Sequence, residues 1–250
     1  MILEEFLIFI TFLCWGSFLN VLGHRIVHEH PNFLKRSHCP RCEHVLSWYD
    51  LVPLISFLLR LGKCRYCHQA ISFLYPLIEI ITAISLFLLY WFFPFYLFLA
   101  YFFYFSLLII TIRSDLEHLL VSSWVTLYMV PIPIILSYFG YIPIPVFDSF
   151  FGALSGYFCL WSIGKLFFWW THKEGIGEGD FELMALIGAW TGMLGCWFSL
   201  TLGSIIGVIS GIMMQTYQDA IDIKIPFAPC LAAGSMIFVF YAKYIVYYLF

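Results

Sequence analysis

Charge is what this sequence has least of. Asp, Glu, Lys and Arg make up 11% of its 250 residues, against roughly a quarter in a soluble globular domain. So little charge excludes a water-soluble fold, because the chain is 62% hydrophobic and 21% aromatic and cannot cover that much apolar surface. The net charge of −3, with no basic patch outside one cysteine-bearing loop, argues against a nucleic-acid partner. The first run, LEEFLIFITFLCWGSFLNVLG, has no basic segment ahead of it and carries Glu4 and Glu5. It therefore reads as a retained helix and not as a signal peptide. There is no clear internal repeat, no low-complexity tract, and no linked pattern of Ser and His that would make a nucleophile.

What is present is apolar length. Eight runs, at about 4–24, 73–92, 94–112, 122–140, 146–170, 182–198, 199–217 and 228–249, approach or exceed the ~20 residues that cross a bilayer as helix. They predict an all-α polytopic membrane protein with about eight transmembrane helices and the lipid bilayer as its partner. The sixth and seventh runs share a very tight junction. Residues 25–72 hold seven of the twelve Lys and Arg: Arg25, Lys35, Arg36, Arg41, Arg60, Lys63 and Arg65. The positive-inside rule places that loop in the cytoplasm. By alternation, the loops around Asp115, Asp180 and Asp222 then lie on the same side, with Lys173 and Lys224 among them. The expected organisation is a first helix at 1–24, a loop domain at 25–72, and a membrane part at 73–250.

The loop carries two C-x-x-C hooks, Cys39/Cys42 and Cys64/Cys67, with 21 residues between them. Two residues between thiols let both sulfurs reach one ion at ~2.3 Å, so four such thiolates fit a structural zinc. A polar insertion this short has too little core to hold its fold by burial. The alternative is two pairs of redox thiols; disulfides are excluded by a reducing cytoplasm. Cys14, Cys159, Cys196 and Cys230 stand singly in apolar runs and read as small core residues.

Acids at membrane depth are costly and point to function. Glu79, Asp115, Asp148 and Asp180 therefore each need a reason. Asp148 and Glu117 read as a helix cap or an interfacial solvated acid. Asp180 follows the run GIGEG, whose glycines allow close backbone approach and positive φ. Paired with Asp115 on the same face, Asp180 makes a two-carboxylate proposal. Two adjacent carboxylates share a proton, so one can activate a water while the other protonates the scissile group.

The motifs, taken in order, resemble the type IV prepilin peptidases, membrane aspartic proteases of pilus assembly and type II secretion. GSFLNVLGHR (16–25) is similar to the family's first-helix signature. WYDLVPLISF (48–57) lies between similar cysteine pairs, and LYPLIEI (74–80) opens the second helix. SDLEHLL (114–120) and GEGDFELMALIGAW (177–190) resemble the two catalytic segments, and IPFAPCLAAG (225–234) the last-helix motif. The resemblance implies that Asp115 and Asp180 are the catalytic pair. It implies cleavage of a short basic leader, after Gly and before Phe, from pilin-like precursors at the cytoplasmic face of the bacterial inner membrane. It also implies N-methylation of the new terminus with S-adenosylmethionine, although no Gly-rich βαβ signature marks a site for it.

Three departures accompany the match. Val121, Ser122 and Ser123 stand where the family has Ile-Pro-Asp/Asn. Glu182 stands where it has Lys, and HRIVHEHP replaces a His-Arg-hydrophobic-Pro turn. The acid at 182 is expected to push one aspartate towards its protonated form. Three other functions compete: a different Gly-x-Gly-Asp intramembrane protease, a proton-coupled transporter, and a redox protein working through the C-x-x-C pairs. Zinc in the loop, Ser114 before Asp115, and acids at helix ends instead of the midplane weigh against them.

Overall fold

Proline and glycine set the limits of the helices. The structure is a computed structural model describing residues 2–27, 36–39, 41–173, 175–217 and 226–249. The stretch 28–31, Lys35, and the loop with Asp222 and Lys224 lie outside the described residues. The first helix, α1 (Ile2–Arg25), ends among His24 and Arg25. After the cysteine loop, with its short α2 (Ile55–Leu59), α3 runs from Leu74 to Phe92. Pro94 separates it from α4 (Phe95–His118), since proline is accepted at a helix start and not within one. Then follow α5 (Pro131–Tyr138), α6 (Val146–Thr171), α7 (Glu178–Tyr217) and α8 (Ala228–Leu249). Among the described residues there is no strand, only two isolated β-bridges in the cysteine loop. Among the described residues five helical stretches, Ile2–Arg25, Leu74–Phe92, Phe95–His118, Val146–Thr171 and Glu178–Met213, are long and apolar enough to cross a membrane. The chain is an all-helical integral membrane protein.

Two of the expected runs take another form. The run at 122–140 is a turn, a 3-10 turn (Leu127–Met129) and the eight-residue α5. At 1.5 Å per residue α5 is only about 12 Å long. Pro131 starts it, Ser122 and Ser123 sit in turns, and hydropathy alone registers neither. The junction of the sixth and seventh runs falls at Gly192, not at 198–199. Gly192 has φ 70° and ψ −176°, a conformation that favours glycine.

The chain forms two compact units, residues 1–113 and 114–250. In the first, α1 lies against α3 at Gly16, where a Cβ would meet Glu79 Cα and Thr82 Cβ at 3.0 Å. The Asn20 side-chain amide donates to Tyr75 O at 3.1 Å, and Trp15 Nε1 to Ser106 Oγ at 2.9 Å. The buried Glu79 accepts the backbone N–H of Leu54 at 3.0 Å, which ties the cysteine loop to α3.

In the second unit, α7 is a hairpin of two arms, 178–191 and 193–217. The first arm lies antiparallel to α6, with Gly188 on Gly152 and Met184 on Gly156. The second lies antiparallel to α8: Gly195 faces Phe238, Ser199 faces Gly234, and Gly207 faces Phe227. Ala228, at the start of α8, donates to Asp115, and the charge of Asp115 acts on Asp180. The second arm has therefore returned, at about Gly207, beside the start of the first.

Asp148 closes this hairpin. Its Oδ1 accepts the N–H of Met193 at 3.1 Å, an orphan donor at the start of the second arm. The residue is a cap, as the sequence suggests, but of the next helix and not its own. Asp148→Asn keeps an acceptor and is expected to leave thermal unfolding in detergent near the parent's. Asp148→Ala is expected to cost about 1 kcal/mol.

Candidate active site

The two aspartates arrive at one cleft from opposite chain directions. Asp115 lies in the last turn of α4 and is 6% exposed. Asp180 lies in the first turn of α7 and is partly buried. Asp115 Oδ2 accepts the Ala228 N–H at 3.1 Å, so a free donor of the first turn of α8 fixes that carboxylate. The Gly177 backbone holds the carboxylate of Asp180. Both acids line a cavity of about 580 Å³, together with Val121, Lys165, Phe168 and Glu178. That volume is within the range of small-ligand sites, and its lining mixes apolar side chains with Lys165, Glu178 and the two acids.

The glycines of GIGEGD serve a different purpose from the one expected. None of Gly175, Gly177 and Gly179 has a positive φ. Gly179 makes room for Val121, whose Cβ would lie 2.5 Å from a Cβ placed there, and Gly175 makes room for the Phe167 ring. Gly177 alone is open, with only Asp180 Oδ2 at 3.7 Å from a Cβ built there. It leaves the carboxylate uncovered on that side.

Glu182 also departs from expectation. Its Oε1 accepts from Ser123 Oγ and its Oε2 from Thr126 Oγ1, each at 2.9 Å. The charge that acts on Asp180 is that of Asp115. The carboxylate of Glu182 is committed to hydroxyl donors.

In the first unit the four loop cysteines converge. Their sulfurs all lie within 4.8 Å of one another, and Cys39 Sγ is 3.9 Å from Cys67 Sγ. Tetrahedral zinc with ~2.3 Å bonds separates its sulfurs by about 3.8 Å, so the donor set fits the ion. Burial pushes the Cys39 thiol up, but backbone N–H groups of Cys42 and Arg41 outweigh it and bring the thiol down to about 7. The two hooks repeat each other. Cys39 N donates to His44 O and Cys64 N to Gln69 O; Glu43 N donates to Cys39 O and His68 N to Cys64 O. Glu43 and His68 both have positive φ. The sequence hides this repeat because it lies in the backbone. A single cluster of four, instead of two separate pairs, suits a metal better than redox cycling. Of the other cysteines, Cys196 and Cys230 are buried, Cys159 is partly buried, and Cys14 is exposed on α1, so Cys14 is not a core residue.

The purified protein is expected to carry one zinc per chain. Replacing Cys39, Cys42, Cys64 and Cys67 together by Ser is expected to remove it and to expose the loop to protease. Full metal content in that variant, measured by elemental analysis, contradicts the assignment.

Comparison with known proteins places these features in context. Residues 10–93 match the family described as Bacterial Peptidase A24 N-terminal domain. Residues 102–212 match the Type IV leader peptidase family. The chain is 33% identical to a prepilin leader peptidase/N-methyltransferase of Pseudomonas aeruginosa over 247 residues, covering 89% of this chain and 85% of the relative. It is 34% identical to one of Aeromonas salmonicida over 259 residues, covering 92% and 88%. To one of Klebsiella pneumoniae it is 34% identical over 193 residues, covering 74% and 84%. No solved structure matches the chain significantly.

Proposed function

The chain belongs to the type IV leader peptidase family, and we propose that it removes the leader of pilin-like precursors with Asp115 and Asp180 as its catalytic pair. The observation that carries this reading is the meeting of the two acids at one cleft, each delivered by a helix end. Asp115 is fixed by the start of α8 and Asp180 by Gly177. One carboxylate, ionised, takes a proton from a water as its oxygen attacks the scissile carbonyl carbon. The other, protonated, hydrogen-bonds the carbonyl oxygen and then protonates the leaving nitrogen as the C–N bond breaks. Val121 and Phe168 line the cleft and offer apolar contact to the remainder of the peptide.

A helix-end site suits a substrate whose apolar helix lies in the bilayer and whose charged leader does not. The cut falls between a short basic leader, ending in Gly, and an apolar segment beginning with Phe. Clients are type IV pilins or type II secretion pseudopilins. The concentration of Lys and Arg in 25–72 supports a cytoplasmic placement of that loop and of the cleft, in the bacterial inner membrane. Zinc, when bound to Cys39, Cys42, Cys64 and Cys67, supplies the cross-link that holds the 25–72 insertion ahead of the peptidase part, 73–250. The name of the relatives also implies methyl transfer from S-adenosylmethionine.

Reporter fusions after residues 70, 118 and 176 are expected to mark the cytoplasm, and one near residue 143 the opposite side. A reporter at 176 that marks the opposite side from 118 would separate the two acids and end this reading.

A further inference from the structure

We propose that Glu182, Ser123 and Thr126 form a latch that fixes the separation of Asp115 and Asp180. It rests on the reading of those acids as the catalytic pair. The two acids sit on different stretches of chain, and a shared proton requires their carboxylates to stay at hydrogen-bonding range. Something must tie the two stretches together near the acids themselves.

The structure shows a continuous tie. It begins at Asp115, whose carbonyl accepts the N–H of Leu119 at 2.9 Å. Leu119 has φ 54°, which ends α4, and Leu119, Leu120 and Val121 then line the cleft. Val121 then packs on Gly179, so closely that any Cβ at 179 would collide with it. A tight turn follows, with Val125 N on Ser122 O and Tyr128 N on Ser123 O, both at 3.0 Å. Two hydroxyls of the turn, Ser123 Oγ and Thr126 Oγ1, donate to Glu182 at 2.9 Å, and Thr126 Oγ1 shares its one proton with Ser122 O at 3.1 Å. Thr126 is fully buried.

Glu182 follows Asp180 by two residues on the same arm. Two helical steps turn about 200°, so Asp180 can face Asp115 while Glu182 faces the turn. Hydrogen bonds to a charged acceptor are roughly twice as strong as neutral ones. Two of them on one carboxylate hold the strap 119–126 to the arm that carries Asp180. Glu182 is therefore a positioning residue and takes no proton in the reaction. The unusual residues at 123 and 182 constitute one device, and they should be changed together.

The test is the kcat and KM of precursor cleavage by the full chain in detergent. Glu182→Ala is expected to lower kcat 10- to 100-fold with KM within about threefold, since a misplacement of ~1 Å can cost that much. Glu182→Gln, which keeps one acceptor oxygen, is expected to lose less. Ser123→Asp sets a second carboxylate against Glu182, and Glu182→Lys removes both acceptors. Each single change is expected to slow the reaction, and the pair, which restores a bridge across the same gap, to be at least tenfold faster than either. A merely structural role would lower the yield of folded protein, leave kcat per folded molecule unchanged, and show no rescue. Parent kcat in Glu182→Ala, or a pair no faster than its singles, overturns the latch. Should Glu182→Ala fail to accumulate, Ser123→Ala with Thr126→Val, which leaves Glu182 in place, is judged by the same criteria. Asp115→Asn is measured alongside. If it still cleaves, the catalytic pair itself is wrong; if it is inactive while the latch variants are normal, only the latch is wrong.

Discussion

Asp115→Asn and Asp180→Asn are each expected to abolish precursor cleavage, with the double variant no worse than either single. The amide nearly matches the carboxylate in shape, so both helix ends stay as they are. In Asp115→Asn the amide oxygen still accepts the N–H of Ala228, as the carboxylate of Asp115 does. What the amide cannot do is take a proton from water or return one to the leaving nitrogen. General acid–base assistance accounts for about 10²- to 10⁴-fold in rate, so each single loses about that much or more. Residues acting as one unit are strongly non-additive, which is why the second substitution adds little. Expression and zinc content are expected to remain at the parent level. A single variant that keeps more than a few per cent of the parent kcat is incompatible with a shared-proton mechanism.

Gly188→Ala is expected to prevent assembly of the second unit, and Gly152→Ala to do the same from the other side. At this crossing α6 and the first arm of α7 touch backbone to backbone. A Cβ on Gly188 would lie 2.0 Å from Gly152 O, and one on Gly152 2.3 Å from Gly188 O. Neither neighbour is a flexible side chain that can move aside. The helices must separate, and the packing that drives helix association in a bilayer goes with them. Overpacking of a tight core costs up to ~3 kcal/mol and occasionally more, and this contact is at the severe end. Little folded protein should be recovered. Gly177→Ala provides the contrast: its Cβ would meet only Asp180 Oδ2 at 3.7 Å, and that variant should fold. Equal recovery of folded Gly188→Ala and parent, measured by size-exclusion in detergent, would contradict the crossing.

Hydropathy and spacing carried most of this fold, and the failures have identifiable physical causes. Runs of apolar side chains give α1, α3, α6 and α8 to within two residues, and the start of α4, because a bilayer demands length; α4 runs six residues beyond its run, to His118. They misplaced the α7 hairpin, since the turn depends on the positive φ of Gly192 and on Asp148, 45 residues before the Met193 that it caps. They also made one long helix of 122–140, where Pro131 and the Ser122–Ser123 turn leave only α5. At the site, Asp115 and Asp180 were legible because acids are rare in such a chain. The four thiols were legible because metal ligation fixes their spacing. The role of Glu182 was not legible. Its partners lie 56 and 59 residues away, and sequence alone showed an added negative charge without the hydroxyls that receive it. The glycines before Asp180 were noticed for the right closeness and the wrong reason: they admit Val121 and Phe167, not an unusual backbone conformation.

Whether this chain cuts pilin-like precursors through Asp115 and Asp180 is decided by the mass of the product. Purified protein is incubated in detergent with a pilin precursor, and the new N-terminus is read by mass spectrometry. One product is expected, starting at the apolar segment after the leader's last Gly, and no product from the Asp115→Asn/Asp180→Asn double variant. Intact precursor with folded parent protein, or the same product from the double variant, would contradict that expectation.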